Sequence, residues 1–278
     1  MSGVPFSPRR VGLIAQNTLR DAARQKLFHF FLLLALALVV GARWLRDFNF
    51  GAPELKFLAD CGFGAMALFG AALMITATAQ LFCGESESRT VETVLAKPVW
   101  RAEFVLGKFL GAIAVAAIFC VTLTVALAAV LWWREGELAR DYPEAFAAGR
   151  QVSYANLWLA GWLHWLRLVV LGGLVLLVAS YARTQLFAVA MGFLVWAICQ
   201  FQALAHDAYA RSSSAAARAV GAGIAVLFPN FQLFTLADGL AAADAPPVLA
   251  VVRVTAYALL YAAAGAALAI FSFRRREL

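Results

Sequence analysis

The chain has 278 residues, 63% of them hydrophobic and only 14% charged, and its mean hydropathy is +0.79. Soluble domains run nearer to about 45–50% apolar and about 25% charged, so this composition excludes a soluble globular enzyme and points to a polytopic all-α membrane protein. The net charge of +7 gathers at the ends of apolar runs, which fits anionic lipid and membrane topology and not nucleic acid.

In chain order, residues 9–26 carry an amphipathic helical pattern. Val11, Ile14, Ala15, Thr18, Leu19 and Ala22 share one face, and Arg20, Asp21, Arg24 and Gln25 lie elsewhere. Such a segment is expected in the membrane interface. The first apolar run, 27–45, reads as a retained first span, closed by Arg43 and Trp44 as an interfacial belt. A short polar loop holding Gly51 and Pro53 leads to span two, 60–83. There Gly62, Gly64 and Gly70 with nearby alanines make a surface for close helix packing.

Residues 84–111, GESESRTVETVLAKPVWRAEFVLGKFLG, follow. This is the most polar internal segment between strongly apolar ones. Val91, Val94 and Leu95 recur at helical spacing, while Glu85, Arg89 and Glu92 occupy other positions and can pair along a helix. Pro98 ends that helix, and Lys97, Arg101 and Lys108 flank the next apolar run. The pattern predicts a small amphipathic helix over 85–97, at a membrane face between two spans. Span three, 104–133, needs about 45 Å of helix and must tilt or project. Gly107 and Gly111 give it a GxxxG spacing, which suits ordinary helix packing more readily than a dimer seam.

Residues 134–157 are expected as a loop with room for a short surface helix. Span four, 158–180, contains His164 and Arg167 beside Trp158, Trp162 and Trp165. An arginine inside a span is a functional candidate by default. The alternative is that it snorkels to a nearby interface, and the aromatic density favours that. No partner carboxylate or second histidine is visible for His164, so no metal site is expected. Span five covers 184–205. Residues 206–247 read as an extracytoplasmic loop in which 215–228 is apolar but too short to cross, so that it is either re-entrant or interfacial. Span six, 248–273, ends in Arg274, Arg275 and Arg276.

Lys and Arg are densest in 9–26, 84–108, Arg183 and 274–276, which sets that side as cytoplasmic, with both termini inside. Cys61, Cys83, Cys120 and Cys199 stand singly, with no metal or disulfide pattern. The three histidines are scattered, and no carboxylate pair or nucleophile constellation lies at a common depth, so no catalytic residues are expected. A secondary transporter would need intramembrane acids, and Asp60 and Glu103 fall only at span edges. A non-transporting membrane scaffold stays open.

The stretch from Glu85 to Gly111 resembles the signature of ABC-2-type permeases: an acidic residue ending span two, a Thr-x-Glu helix, a Pro-x-x-Arg turn, and a Gly-Lys-x-x-Gly opening of span three. The segment NTLRDAARQKLF (17–28) resembles the connecting helix of that family. PNFQLF (229–234) and FRRREL (273–278) resemble one branch, which includes the permease of the nitrous-oxide-reductase maturation system. The resemblance implies a single transmembrane domain over 1–278, paired as a homodimer or with a second permease in a bacterial inner membrane. It also implies a separate ATPase subunit that binds ATP and Mg and is gripped by a coupling helix at 85–97, with Glu85, Arg89, Glu92, Lys97 and Arg101 in contact. No Walker A motif occurs in the chain, so no cofactor is expected in it.

Overall fold

The computed structural model describes residues 6–45, 53–81, 100–147, 150–210, 215–239 and 246–275. Long apolar runs leave the backbone no partners in lipid except its own, so helices form, and no strand occurs among the described residues. The helices are α1 (Pro8–Ala23), α2 (Lys26–Gly41), α3 (Glu54–Ala79), α4 (Arg101–Asp141), α5 (Tyr154–Tyr181), α6 (Gln185–Ala210), α7 (Ala215–Leu227) and α8 (Val248–Arg275). Short 3-10 turns occupy Pro143–Phe146 and Phe231–Thr235. The protein is an all-α polytopic membrane protein with five helices long and apolar enough to cross a bilayer, or six if α1 and α2 form one bent span.

The central helix is α5. It packs most extensively against α8 and also touches α3, α4 and α6. Its seam with α8 is set by glycine. A Cβ on Gly265 would come within 2.7 Å of the Gly173 carbonyl oxygen, and one on Gly173 within 3.2 Å of the Ala262 backbone. Backbone cannot yield as a side-chain tip can, so the two helices approach only because both positions lack a side chain. The small-residue face expected on span two is used in part. Gly62 lies against Leu127 and Gly70 against Leu168, whereas Gly64 meets nothing.

Several expectations need correction. The helix α4 does not stop at Trp133 but runs to Asp141, about 60 Å at 1.5 Å per residue. Its charged extension is held by partners that the linear sequence does not display. The Arg134 guanidinium forms two bonds to Glu54, at 2.6 and 3.0 Å, and a third to Glu137 at 2.7 Å. Arg43 donates to Glu137 at 2.9 Å and lies over the Trp133 ring. The buried Glu135 carboxylate accepts from the Gln151 and Val152 N–H groups and from the Tyr154 hydroxyl. These bonds tie the ends of α2, α3, α4 and α5 together and shorten the expected loop 134–157.

Nor does the first span form one helix from 27 to 45. Helix α2 ends at Gly41, and its 16 residues rise only about 24 Å, less than the ~30 Å of a hydrocarbon core. It meets α1 at 64°. Among the described residues of 206–247, α6 runs to Ala210, α7 occupies the short apolar stretch, and the Phe231–Thr235 turn packs against α5 and α6 with Phe231 and Phe234 buried.

Candidate functional site

Glu85, Arg89, Glu92 and Lys97, and with them the helix expected over 85–97, lie outside the described residues, as does the Arg101 side chain. The anchors on either side of that segment are described. Leu81 precedes it, and its carbonyl accepts a hydrogen bond from the buried Lys108 ammonium, which also sits over the Phe104 ring at 4.5 Å. A cation on the last carbonyls of a helix complements its dipole. Trp100 follows the segment and donates its N–H to Glu103 at 3.2 Å.

Glu103 is fully buried. Besides Trp100 it accepts the Ser7 N–H at 2.6 Å and pairs with Arg10 at 3.3 Å. One carboxylate thereby joins the start of α1 to the start of α4. Along the same seam, a Cβ on Gly107 would lie 2.6 Å from Ile14, and one on Gly111 would lie 2.5 Å from Thr18. The GxxxG surface is filled by α1 of the same chain and is not open to form a dimer seam. Helix α1 is therefore docked on α4 rather than simply resting on a membrane surface.

A second polar cluster lies in the half of the bundle that holds the start of α3, the end of α4 and the start of α5. His164 and Arg167 are the sequence candidates, and the structure brings them together on α5 with 3% and 4% of their surface exposed. They lie about 15 and 20 Å along α5 from Tyr154. The snorkelling reading of Arg167 is overturned, because its guanidinium points into the bundle, donates to Gln200 on α6 and lies 5.0 Å from the Phe231 ring. His164 does have a carboxylate neighbour: its Nε2 is 3.2 Å from Asp238 Oδ1, and its ring stacks on Phe63 at 5.4 Å. The chain beyond α7 thus turns into the bundle. Asn230 caps the turn by accepting the Gln232 N–H, and its own N–H donates to the Tyr257 hydroxyl on α8.

Asp238, Phe231 and Tyr257 were not singled out from sequence, and neither were Glu103 and Lys108 as anchors. An isolated carboxylate in the apolar stretch after Pro229 was the available signal for Asp238, but its partner is 74 residues away. No group of three or more metal-ligating side chains occurs among the described residues.

Five or six helices of spanning length agree with the comparison to known families. The ABC-2 family transporter protein family matches residues 13–278. The chain belongs to that family. As an ABC-2 family member it is a multi-pass membrane component of an ABC transporter, a family whose transmembrane subunits are typically non-enzymatic and whose members imply a partner ATPase. A search of curated proteins finds no match to the chain.

Proposed function

We propose that this ABC-2 permease is the transmembrane subunit of a transporter driven by a separate ATPase, which binds ATP and Mg and grips residues 85–97. The observation that carries this reading is the pair of buried anchors flanking that segment. Lys108 holds its entry at Leu81, and Glu103 holds its exit at Trp100 together with α1. A push on the segment is then delivered to α1, α3 and α4 as a unit, which is the rigid-element coupling that a two-state transporter needs. The ATPase contacts are Glu85, Arg89, Glu92, Lys97 and Arg101. Each is a rim charge whose neutralisation costs about 1 kcal/mol, and loss of several uncouples hydrolysis from transport.

The densely basic end, which holds α1 and the anchors, is cytoplasmic, with both termini inside a bacterial inner membrane. Copies pair through apolar faces such as that of α6, where Leu186, Phe187, Leu194, Phe201 and Leu204 are exposed. PNFQLF and FRRREL support a place in the branch that includes the nitrous-oxide-reductase maturation permease. The test is co-purification in detergent with the ATPase encoded beside this chain. A complex that forms and is lost in Glu92→Arg is the expected result. A complex indifferent to Glu92→Arg and to the double replacement of Arg89 and Glu92 overturns the docking assignment, and the absence of any complex overturns the subunit reading.

A further inference from the structure

The polar cluster on α5 has an uneven charge arrangement. Among the described residues, no carboxylate lies within ion-pair distance of the buried Arg167 guanidinium; its contacts are the neutral Gln200 amide and the Phe231 ring. Asp238 is taken by His164, whose other ring nitrogen, Nδ1, is buried without a partner among the described residues. A permanent charge inside a bundle at this depth is costly unless an anion offsets it in each state that the protein visits.

Asp238 belongs to no spanning helix. It follows the Phe231–Thr235 turn, whose phenylalanines fill the space between α5 and α6, and the turn is tied to α8 through the Tyr257 hydroxyl. The other groups near the cluster are Asp60 on α3, offset by Lys56 and within electrostatic range of Asp238, Cys199 on α6, and Tyr261, which packs on Tyr257.

Resting on the permease reading above, we propose that His164 and Arg167 form a recognition site for an acidic group on the transported molecule, and that Asp238, held by His164, occupies the histidine half of this site as an internal, displaceable ligand. When Asp238 swings away while the Phe231–Thr235 turn stays in place, the freed imidazole and a guanidinium that already lacks a carboxylate face the vacated space between aromatic walls. A carboxylate or phosphate carried by the cargo replaces Asp238. The surrounding Phe63, Phe231, Phe234 and Tyr257 rings select an apolar body behind that group. The cargo class is therefore an acidic amphiphile.

The experiment uses the full chain, purified in phosphatidylcholine nanodiscs without ATPase, and follows binding of dansyl-undecanoic acid and of its methyl ester by fluorescence polarisation. A site occupied by its internal carboxylate most of the time shows a weakened apparent affinity, so Asp238→Asn is expected to tighten binding of the acid by about tenfold and leave the ester unchanged. Arg167→Gln is expected to abolish the preference for the acid, and Arg167→Lys to retain part of it. An acid-to-ester ratio unchanged in Asp238→Asn, or one that survives Arg167→Gln, overturns the proposal. If Arg167→Gln does not fold, the Asp238→Asn result decides. Binding needs no ATPase, so a failed ATPase complex with intact acid preference counts against the permease reading alone, and the reverse outcome counts against this site alone.

Discussion

Replacing Glu103 tests whether one carboxylate holds α1 to the start of α4. Its side chain is fully buried, and three donors converge on it: the Ser7 N–H at 2.6 Å, the Trp100 N–H at 3.2 Å and Arg10 at 3.3 Å. In Glu103→Ala both amides and the guanidinium lose this acceptor. A charged hydrogen bond contributes about 1.5–3 kcal/mol net. Arg10 is a quarter exposed, so water screens it and its share is nearer to about 1 kcal/mol. These add to about 4–7 kcal/mol, and the part that overlaps the range for breaking a buried pair from one side is about 4–5 kcal/mol. Glu103→Gln keeps an acceptor oxygen but loses the charge, and is expected to cost about half as much. Arg10→Ala is expected to cost least. At about 2–4 °C per kcal/mol for a chain of this size, Glu103→Ala should lower the midpoint of thermal unfolding in detergent by about 8–20 °C. Limited proteolysis should release α1 first. Equal midpoints for Glu103→Ala and the unaltered protein, or a larger loss in Arg10→Ala than in Glu103→Ala, would refute the reasoning.

Other expected outcomes follow from the same packing. Gly265→Leu drives a side chain into the Gly173 carbonyl, and overpacking against backbone should cost at least about 1–3 kcal/mol, read as lost monodispersity in detergent, whereas Gly64→Leu, with nothing near its Cβ position, should be neutral. Glu135→Ala removes the acceptor for two amides and the Tyr154 hydroxyl. It should speed hydrogen exchange at Gln151 and Val152 by about tenfold or more while leaving exchange at Trp100 unchanged. Gly111→Leu should expel α1 from its seam by displacing Thr18, and a cysteine placed at Thr18 should then become reactive to a water-soluble maleimide. Continued protection would show that α1 docks elsewhere.

The all-α membrane class and the presence of five or six apolar helices of spanning length were legible from the chain alone. Apolar run length and helical periodicity are local quantities, and in lipid a helix needs no other part of the chain to satisfy its backbone. Membership of the ABC-2 family was legible for a related reason, since the residues of its signature are contiguous. What the linear pattern could not contain was which distant group would meet each polar side chain. Arg134, Glu135 and Glu137 read as loop because charge normally ends a span, yet Glu54, Arg43 and the 151–154 turn neutralise or bond them and the helix continues. Gly107 and Gly111 announced a close contact but not its occupant, which is α1 of the same chain. Most decisively, the tryptophans around His164 and Arg167 suggested a nearby interface, whereas the turn that brings Phe231 and Asp238 back into the bundle buries both residues. Helix identity is written in neighbouring residues; the burial of a charge depends on chain segments far away in sequence, and only the tertiary structure decided where Arg167, Glu103 and Lys108 reside.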